Sequence, residues 1–311
     1  MSSIAATAGE DFVADSRTRR RHWFERGVHA VLLVFAGISI VTTVGIVFIL
    51  LLESLQFFGE VSVWEFLTGT KWSPKASPGH FGILPLFCGT FLVAAGSAVI
   101  AVPLGLGTAI CLSEYASPTV RGIVKPMLEI LAGIPSVVFG YLAIVFVSPW
   151  IRSLFESAEL FNAANASVVV GIMILPMIIS LSEDALRSVP RSLREGAYAL
   201  GGTKLDVSVG VVVPAALSGI VASFLLAIAR AIGETMAVSL AAGKRPQMTL
   251  NPLDTIQTMT AYIVETSQGD TPRGTLSYQT IFAVGLALFL ATFTLNIIAQ
   301  SILKRMREEY E

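Results

Sequence analysis

The sequence predicts an all-α integral membrane protein with about six transmembrane helices. Three observations predict it. Only 14% of the 311 residues are charged, against roughly 25% in soluble domains. Hydrophobic residues make up 54%, and the mean hydropathy is +0.73. The apolar residues also gather into stretches near the ~20 residues that cross a bilayer as a helix.

Taken in order, residues 1–27 are polar, end in RTRRRHWFER and read as a basic cytoplasmic N-terminus. The apolar block at 28–52 is too long for a signal-peptide core and lacks a cleavage-like end, so it reads as a retained first span. Residues 53–82 complete this region as a periplasmic segment. Its Phe57, Phe58, Trp64, Phe66 and Trp72 read either as interfacial anchors or as a docking surface for an external partner, with the anchors ahead. Residues 83–303 hold the other five spans: 83–112, 123–147, 163–182 with Pro176 inside, one beginning near 207, and 279–303. Residues 304–311 form a short cytoplasmic C-terminus. In the second span, Pro103, Gly105 and Gly107 mark a distorted or closely packed helix. In the third, Gly133-Ile134-Pro135-Ser136 is either a plain kink or a pathway-lining segment.

Charge sets the orientation. With the N-terminus inside, 14 of the 21 Lys and Arg fall in inner segments, 6 fall outside, and Arg230 stays in the membrane. Basic residues favour the cytoplasmic side, which puts both termini and the 183–206 loop there. Net charge is −1, so no global field points to nucleic acid. Cys88 and Cys111 lie 23 positions apart on one apolar segment, about 35 Å along a helix, too far for a disulfide. The chain has no G-x-x-x-x-G-K-[ST] phosphate loop, no Ser/His/Asp set and no paired carboxylates that would argue for an enzyme. It binds no cofactor on this reading.

The most informative polar stretch runs from Glu183 to Pro214. Pro190 suits the first turn of a short helix over 191–200. Gly201-Gly202 ends that helix, because glycine accepts the left-handed conformation of a C-terminal turn. Thr203 caps a second helix. Gly196, Ala197 and Ala199 leave the first helix with a face free of bulk, where another protein surface could approach closely.

Span five reads ALSGIVASFLLAIARAIGETMAVSLAAG and is interrupted by Arg230 and Glu234. At i and i+4 they share one helix face and can pair. A charge at the bilayer centre costs on the order of 2.5–3.5 kcal/mol, so such residues normally face a bundle interior or an aqueous path. Counted from Ser208, Arg230 is about 33 Å along a helix. A break at Gly233 would set both charges at a bend in the outer half. One reading is a structural clasp without a ligand. The other, favoured because Arg binds oxyanions bidentately, is a site on a substrate path.

The spacing of the 183–214 stretch resembles the cytoplasmic loop of ABC importer permeases: Glu-Ala-Ala, three residues, Gly, nine residues, Ile-x-Leu-Pro. Here Glu195-Gly196-Ala197 is followed at that spacing by Gly201 and by Val211-x-Val213-Pro214. The stretches WEFLTGTKWSP (64–74), FGILPLFCGT (81–90), AVPLGLGTAICLSEYAS (101–117), LAGIPSVVFGYLA (131–143) and ARAIGETMAV (229–238) narrow the resemblance to phosphate-importer permeases of the PstC type. The resemblance implies a type I ABC importer permease fold over 83–303. It implies a coupling loop carried by Glu195, Gly196, Ala197, Gly201 and Pro214, and a substrate pathway with Arg230 and Glu234. It also implies partners: a second permease of the PstA type, two ATPase subunits of the PstB type that hold ATP and Mg, and a phosphate-binding protein of the PstS type. A permease for another oxyanion, such as sulfate or molybdate, and an ion-driven secondary transporter are the alternative readings.

The orientation is testable. In a Cys-free background, single cysteines at Ser77, Ser157 and Ser267 are expected to react with an impermeant thiol reagent applied to intact cells. Those at Ser117 and Ser192 are expected to stay protected, and reaction at Ser192 would reverse the assignment.

Overall fold

In a bilayer core each peptide group must find its partner within its own segment, which selects helices. The computed structural model describes residues 3–269 and 271–306, with side chains from Glu25 to Arg305. By its contacts the chain forms two units, residues 1–52 and 53–311. The first is made by helix α1 (Ser3–Glu60), whose last turns belong to the second. Among the described residues, five helices are long and apolar enough to cross a membrane, and a bent pair makes a sixth.

The second unit continues from α1 into α2 (Val63–Thr68). A two-stranded antiparallel hairpin follows, β1 (Trp72–Ser73) and β2 (His80–Phe81), with Trp72 opposite Phe81. Helix α3 (Leu84–Ile110) runs on through a wide π-helical turn, Cys111–Tyr115. Next come α4 (Pro118–Ala132), α5 (Ser136–Leu142), a second wide turn at Ala143–Val147, and α6 (Ser148–Leu154). Helix α7 (Ala163–Ser188) leads to α8 (Arg191–Ala199) and α9 (Lys204–Val207). A third wide turn, Ser208–Val212, precedes α10 (Val213–Ala215), which meets α11 (Leu217–Ile232) at a 69° bend. The chain ends with α12 (Met236–Ala241), α13 (Met259–Gln268) and α14 (Leu276–Met306).

Four spans lie where the apolar pattern puts them, with ends extended by a few residues: Glu25–Glu60, Leu84–Tyr115, Ala163–Ser188 and Leu276–Arg305. The third does not. It was expected over 123–147 and is found over Ser136–Leu154. Residues 118–132 form a separate amphipathic helix in which Arg121, Lys125 and Glu129 recur every four positions. Gly133 ends it, and Pro135, extended at φ −57° and ψ 136°, starts the next helix. The Gly-Ile-Pro sequence is therefore a break between two helices. The fifth span is also broken, by the bend at Ala216 and by its end at Ile232.

Helix α7 lies parallel to α3 at the centre of this unit. Lipid is as apolar as leucine, so helices associate there through close packing rather than water exclusion. A Cβ on Gly105 would fall 2.5 Å from Ile178 Cγ2, and Gly96 sits against the Ser167 side chain. Helix α11 runs back along α7, with Gly219 against Ala185 and a buried Ser182–Ser223 hydrogen bond of 2.7 Å. Cys88 and Cys111 are free thiols at opposite ends of the α3 segment.

A separate cluster surrounds the start of α3. Phe57, Phe66 and Trp72 are almost completely buried with Phe81, Leu86 and Tyr262. Their rings meet edge to face, Phe57 on Phe66 at 5.7 Å and Trp72 on Tyr262 at 5.0 Å between centroids, a favoured aromatic geometry. These three residues are neither interfacial anchors nor a docking surface. The segment folds back through α2 and the hairpin and buries them. Trp64 alone stays largely exposed, at 75%, as an anchor requires.

Phe66→Ala is therefore expected to destabilise the protein by about 3–5 kcal/mol, whereas Trp64→Ala should change stability by under about 0.5 kcal/mol. Thermal unfolding in detergent compares the two.

Candidate functional site

The 183–206 loop is built by local signals. Helix α7 ends at Ser188, and Val189 and Pro190 are extended. Pro190 stands just outside α8 rather than in its first turn. Gly201 has φ +85° and nothing within 4 Å of where a Cβ would be. Its requirement is conformational rather than steric. Gly201 N donates to Tyr198 O (2.9 Å) and Gly202 N to Ala197 O (3.2 Å), closing the helix end. Thr203 then caps α9 reciprocally: Asp206 N donates to Thr203 Oγ1 (3.3 Å) and Thr203 N to Asp206 Oδ2 (3.0 Å), a capping box. Pro214 follows the wide turn Ser208–Val212. Pro214 has no N–H to give a helical ladder, and it sits in the first turn of α10 directly after the interrupted turn.

One face of α8 is held. Leu193 and Ala197 pack on a cluster of Leu186, Val189, Val207 and Val212. Arg194 donates to the carbonyls of Val189 (2.5 Å) and Leu186 (2.7 Å) and pairs with Glu114 at 3.2 Å. One guanidinium thus joins α8, the end of α7 and the wide turn after α3. The other face is free: Glu195, Gly196, Tyr198 and Ala199 are exposed, and Leu200 is 91% exposed. Gly196 and Ala199 match the expected low-bulk face. Ala197 does not, because it is half-buried on the held side.

Beside the loop, Glu183 is only 2% exposed. Arg121 meets it at 2.8 Å, Lys125 at 3.0 Å and Arg187 at 3.6 Å. Burying a carboxylate requires such pairing. Lys125 also bonds Asp184 at 2.9 Å. That hydrogen bond holds the Lys125 ammonium above the usual lysine range, with burial opposing and Glu183 reinforcing it. Its stabilising contribution is complete below the ordinary lysine pKa and is lost as pH rises through the raised value.

Arg230 lies in the last turn of α11, where the carbonyl end of a helix favours a cation. It is exposed to a cavity of about 390 Å³ that it shares with Lys125, Glu129, Pro176 and Ser180. Glu234 does not pair with it. An i,i+4 pair needs a continuous helix, and α11 stops at Ile232 with Gly233 as its cap. Glu234 Oε1 instead accepts from Ala237 N (3.2 Å), and its backbone carbonyl accepts from Thr260 Oγ1 (2.7 Å). Among the described residues, Arg230 makes no ion pair.

Residues 101–308 match the family described as binding-protein-dependent transport system inner membrane component. The chain belongs to this family. A similar protein, 36% identical over 274 residues and 88% of each chain, is the probable ABC transporter permease protein YqgH of Bacillus subtilis (strain 168). Another is the phosphate transport system permease protein PstC of Mesorhizobium japonicum, 32% identical over 82% of this chain and 81% of that protein. The fold is that of type I ABC importer permeases. The crystal structure of a bacterial ABC transporter involved in the import of the acidic polysaccharide alginate superposes with a TM-score of 0.56 at 13% identity, covering 86% of this chain and 98% of that one. The family match contains the loop, α11 and Arg230, while the aromatic segment before α3 lies outside it.

Sequence reasoning did not single out Glu114 or Glu183, and it took Arg194 only as one basic residue among several. A signal existed in each case. Glu183 ends an apolar run and has Arg187 four residues on, and Glu114 ends the span that begins at Leu84.

Arg194→Ala should strand the Glu114 carboxylate and two buried carbonyls. The expected loss is about 3–5 kcal/mol, against under about 0.5 kcal/mol for the exposed Glu195→Ala. Thermal unfolding, with the rate of tryptic cleavage inside the loop, checks both.

Proposed function

We propose that this protein is the permease subunit of an ATP-driven importer that carries inorganic phosphate across the cytoplasmic membrane. The relatives named as phosphate permeases support the substrate. The single observation that carries the mechanism is Arg230, a guanidinium that makes no ion pair among the described residues and opens onto a cavity lined by α4 and α7. Phosphate at neutral pH carries one to two negative charges, and a dry path strongly disfavours it. One fixed cation lowers that barrier through bidentate, charge-assisted hydrogen bonds. Glu234 belongs to this pathway as the residue that holds the break after Arg230. By accepting from Ala237 N in the first turn of α12 it keeps Arg230 at a helix end rather than in mid-helix.

In this reading both termini and the 183–206 loop are cytoplasmic. The exposed face of α8 seats in an ATPase subunit. Glu195, Gly196 and Ala197 shape the docking helix, Gly201 sets its elbow, and Pro214 marks the return into the membrane. The complex contains a second permease of the PstA type, two PstB-type ATPases that bind ATP and Mg, and a PstS-type phosphate-binding protein. This chain holds no cofactor.

Arg230→Gln is expected to reduce radiolabelled phosphate uptake to background while complex yield stays at the wild-type level. Glu234→Ala removes the bond to Ala237 N and should weaken both uptake and thermal stability, the latter by about 1 kcal/mol. Wild-type uptake by an Arg230→Gln complex assembled at normal yield would end the pathway reading.

A further inference from the structure

We propose that the cavity at the root of the 183–206 loop is a second site, one that binds a phosphate group. The cavity has a volume of about 470 Å³ and is lined by Arg121, Arg187, Arg191 and Arg194 together with Glu114 and Pro118. It lies between the wide turn after α3, the start of α4 and the start of α8. Arg230 and its cavity take no part in it.

The charge is unbalanced. Glu114 is matched by Arg194 at 3.2 Å. Glu183 is matched by Arg121 at 2.8 Å and Arg187 at 3.6 Å. Four guanidiniums therefore stand against two carboxylates, and Arg191 makes no ion pair among the described residues. Two helix N-termini add to the excess. The fifteen-residue α4 begins at Pro118 and the nine-residue α8 at Arg191, and both residues line the cavity. The positive end of each dipole attracts anions at such positions, and α8, whose cap Pro190 makes no side-chain bond, adds free N–H groups; at α4, Pro118 has no N–H and Ser117 Oγ already takes Val120 N.

The cavity also has a fixed floor and an adaptable rim. Glu114 and Arg194 are 8% and 17% exposed, and Arg194 is pinned by two carbonyls as well. Arg187 and Arg191 are exposed. A fixed guanidinium floor with the Arg191 fork above it, and Arg187 beside it held only by the longer 3.6 Å pair to Glu183, suits a tetrahedral oxyanion, because a fork can take two oxygens. Inorganic phosphate and the headgroup phosphate of an anionic phospholipid share this chemistry. Both can reach a cavity placed where the apolar helices α3 and α7 give way to polar loop, a setting in which basic pockets hold lipid headgroups.

The full-length protein separates the two sources. In nanodiscs of phosphatidylcholine, equilibrium binding of radiolabelled inorganic phosphate is measured. From membranes containing phosphatidylglycerol, native mass spectrometry counts the lipid retained. Measured in an Arg230→Gln background, which removes the pathway cation from the assay, Arg191→Gln removes a bidentate contact and is expected to weaken binding about tenfold. If the loss is in phosphate binding, the site takes the free ion. If it is in phosphatidylglycerol retention, the site takes a headgroup. Arg191→Lys, which keeps the charge without the fork, is expected to fall between the Arg230→Gln parent and the Arg191→Gln variant, and serves if the latter does not fold. The proposal is overturned if neither probe binds the Arg230→Gln parent, or if the folded Arg191 variants bind both as that parent does. Failure of the Arg230 transport reading leaves this test intact.

Discussion

The close approach of α3 and α7 is the contact on which the rest of the second unit depends. In lipid, two apolar helices gain nothing from leaving water, so their association rests on dispersion across a narrow gap. Gly96 and Gly105 receive the Ser167 and Ile178 side chains of α7, and Gly171 lies against the Ser97 carbonyl of α3. Because the pair is parallel, its two ends differ in chemistry. At the start of α3 the packing is aromatic, with Phe57, Phe66, Trp72 and Tyr262 around Leu86. At its end the packing is aliphatic and ionic, with Leu186, Val207 and Ile220 beside the buried Glu114 and Glu183. The functional features gather at this second end, where buried carboxylates give basic side chains fixed positions.

Much of this was legible in the chain itself. Apolar runs marked four spans to within a few residues, because span length is dictated by bilayer thickness. The loop was legible because its punctuation is local: Gly201 at positive φ, the Thr203 cap and the spacing to Pro214 each act over a few residues. What was not legible was non-local or depended on continuity. The third span was misplaced because apolar count alone cannot separate the amphipathic α4 from α5 and α6, although the Gly-Ile-Pro break and the four-residue spacing of Arg121, Lys125 and Glu129 were both present. The Arg230–Glu234 pair assumed a helix that Gly233 ends. Phe57, Phe66 and Trp72 looked like anchors because burial by a hairpin with only two-residue strands leaves almost no periodic signal. Ala197 was placed on the free face because its small size, rather than its contacts, was what the sequence displayed.

The two candidate regions share α4. Lys125 lines the Arg230 cavity and also bonds Glu183 and Asp184 of α7. Arg121, one turn earlier, pairs with Glu183 and lines the basic cavity. No residue of α4 is fully buried, and the helix is held by these ionic contacts along one edge together with Leu131 against the apolar core. Its position and the charge around both cavities are thus set by the same few side chains.

Arg194 has a mechanical consequence. By tying α8 to the last carbonyls of α7 and to the turn after α3, it leaves no compliant joint between the loop and the rod behind it. A load placed on α8 is borne by a helix of 26 residues, about 39 Å long, whose flank is interlocked with α3. The sharpest interruptions of the helices are natural places to bend, among them three: Gly133 to Pro135, the angle at Ala216, and Gly233 to Thr235. Two of these three joints flank Arg230: one starts its helix and the other ends it. Stiffness is concentrated where the loop is anchored, and compliance on either side of Arg230.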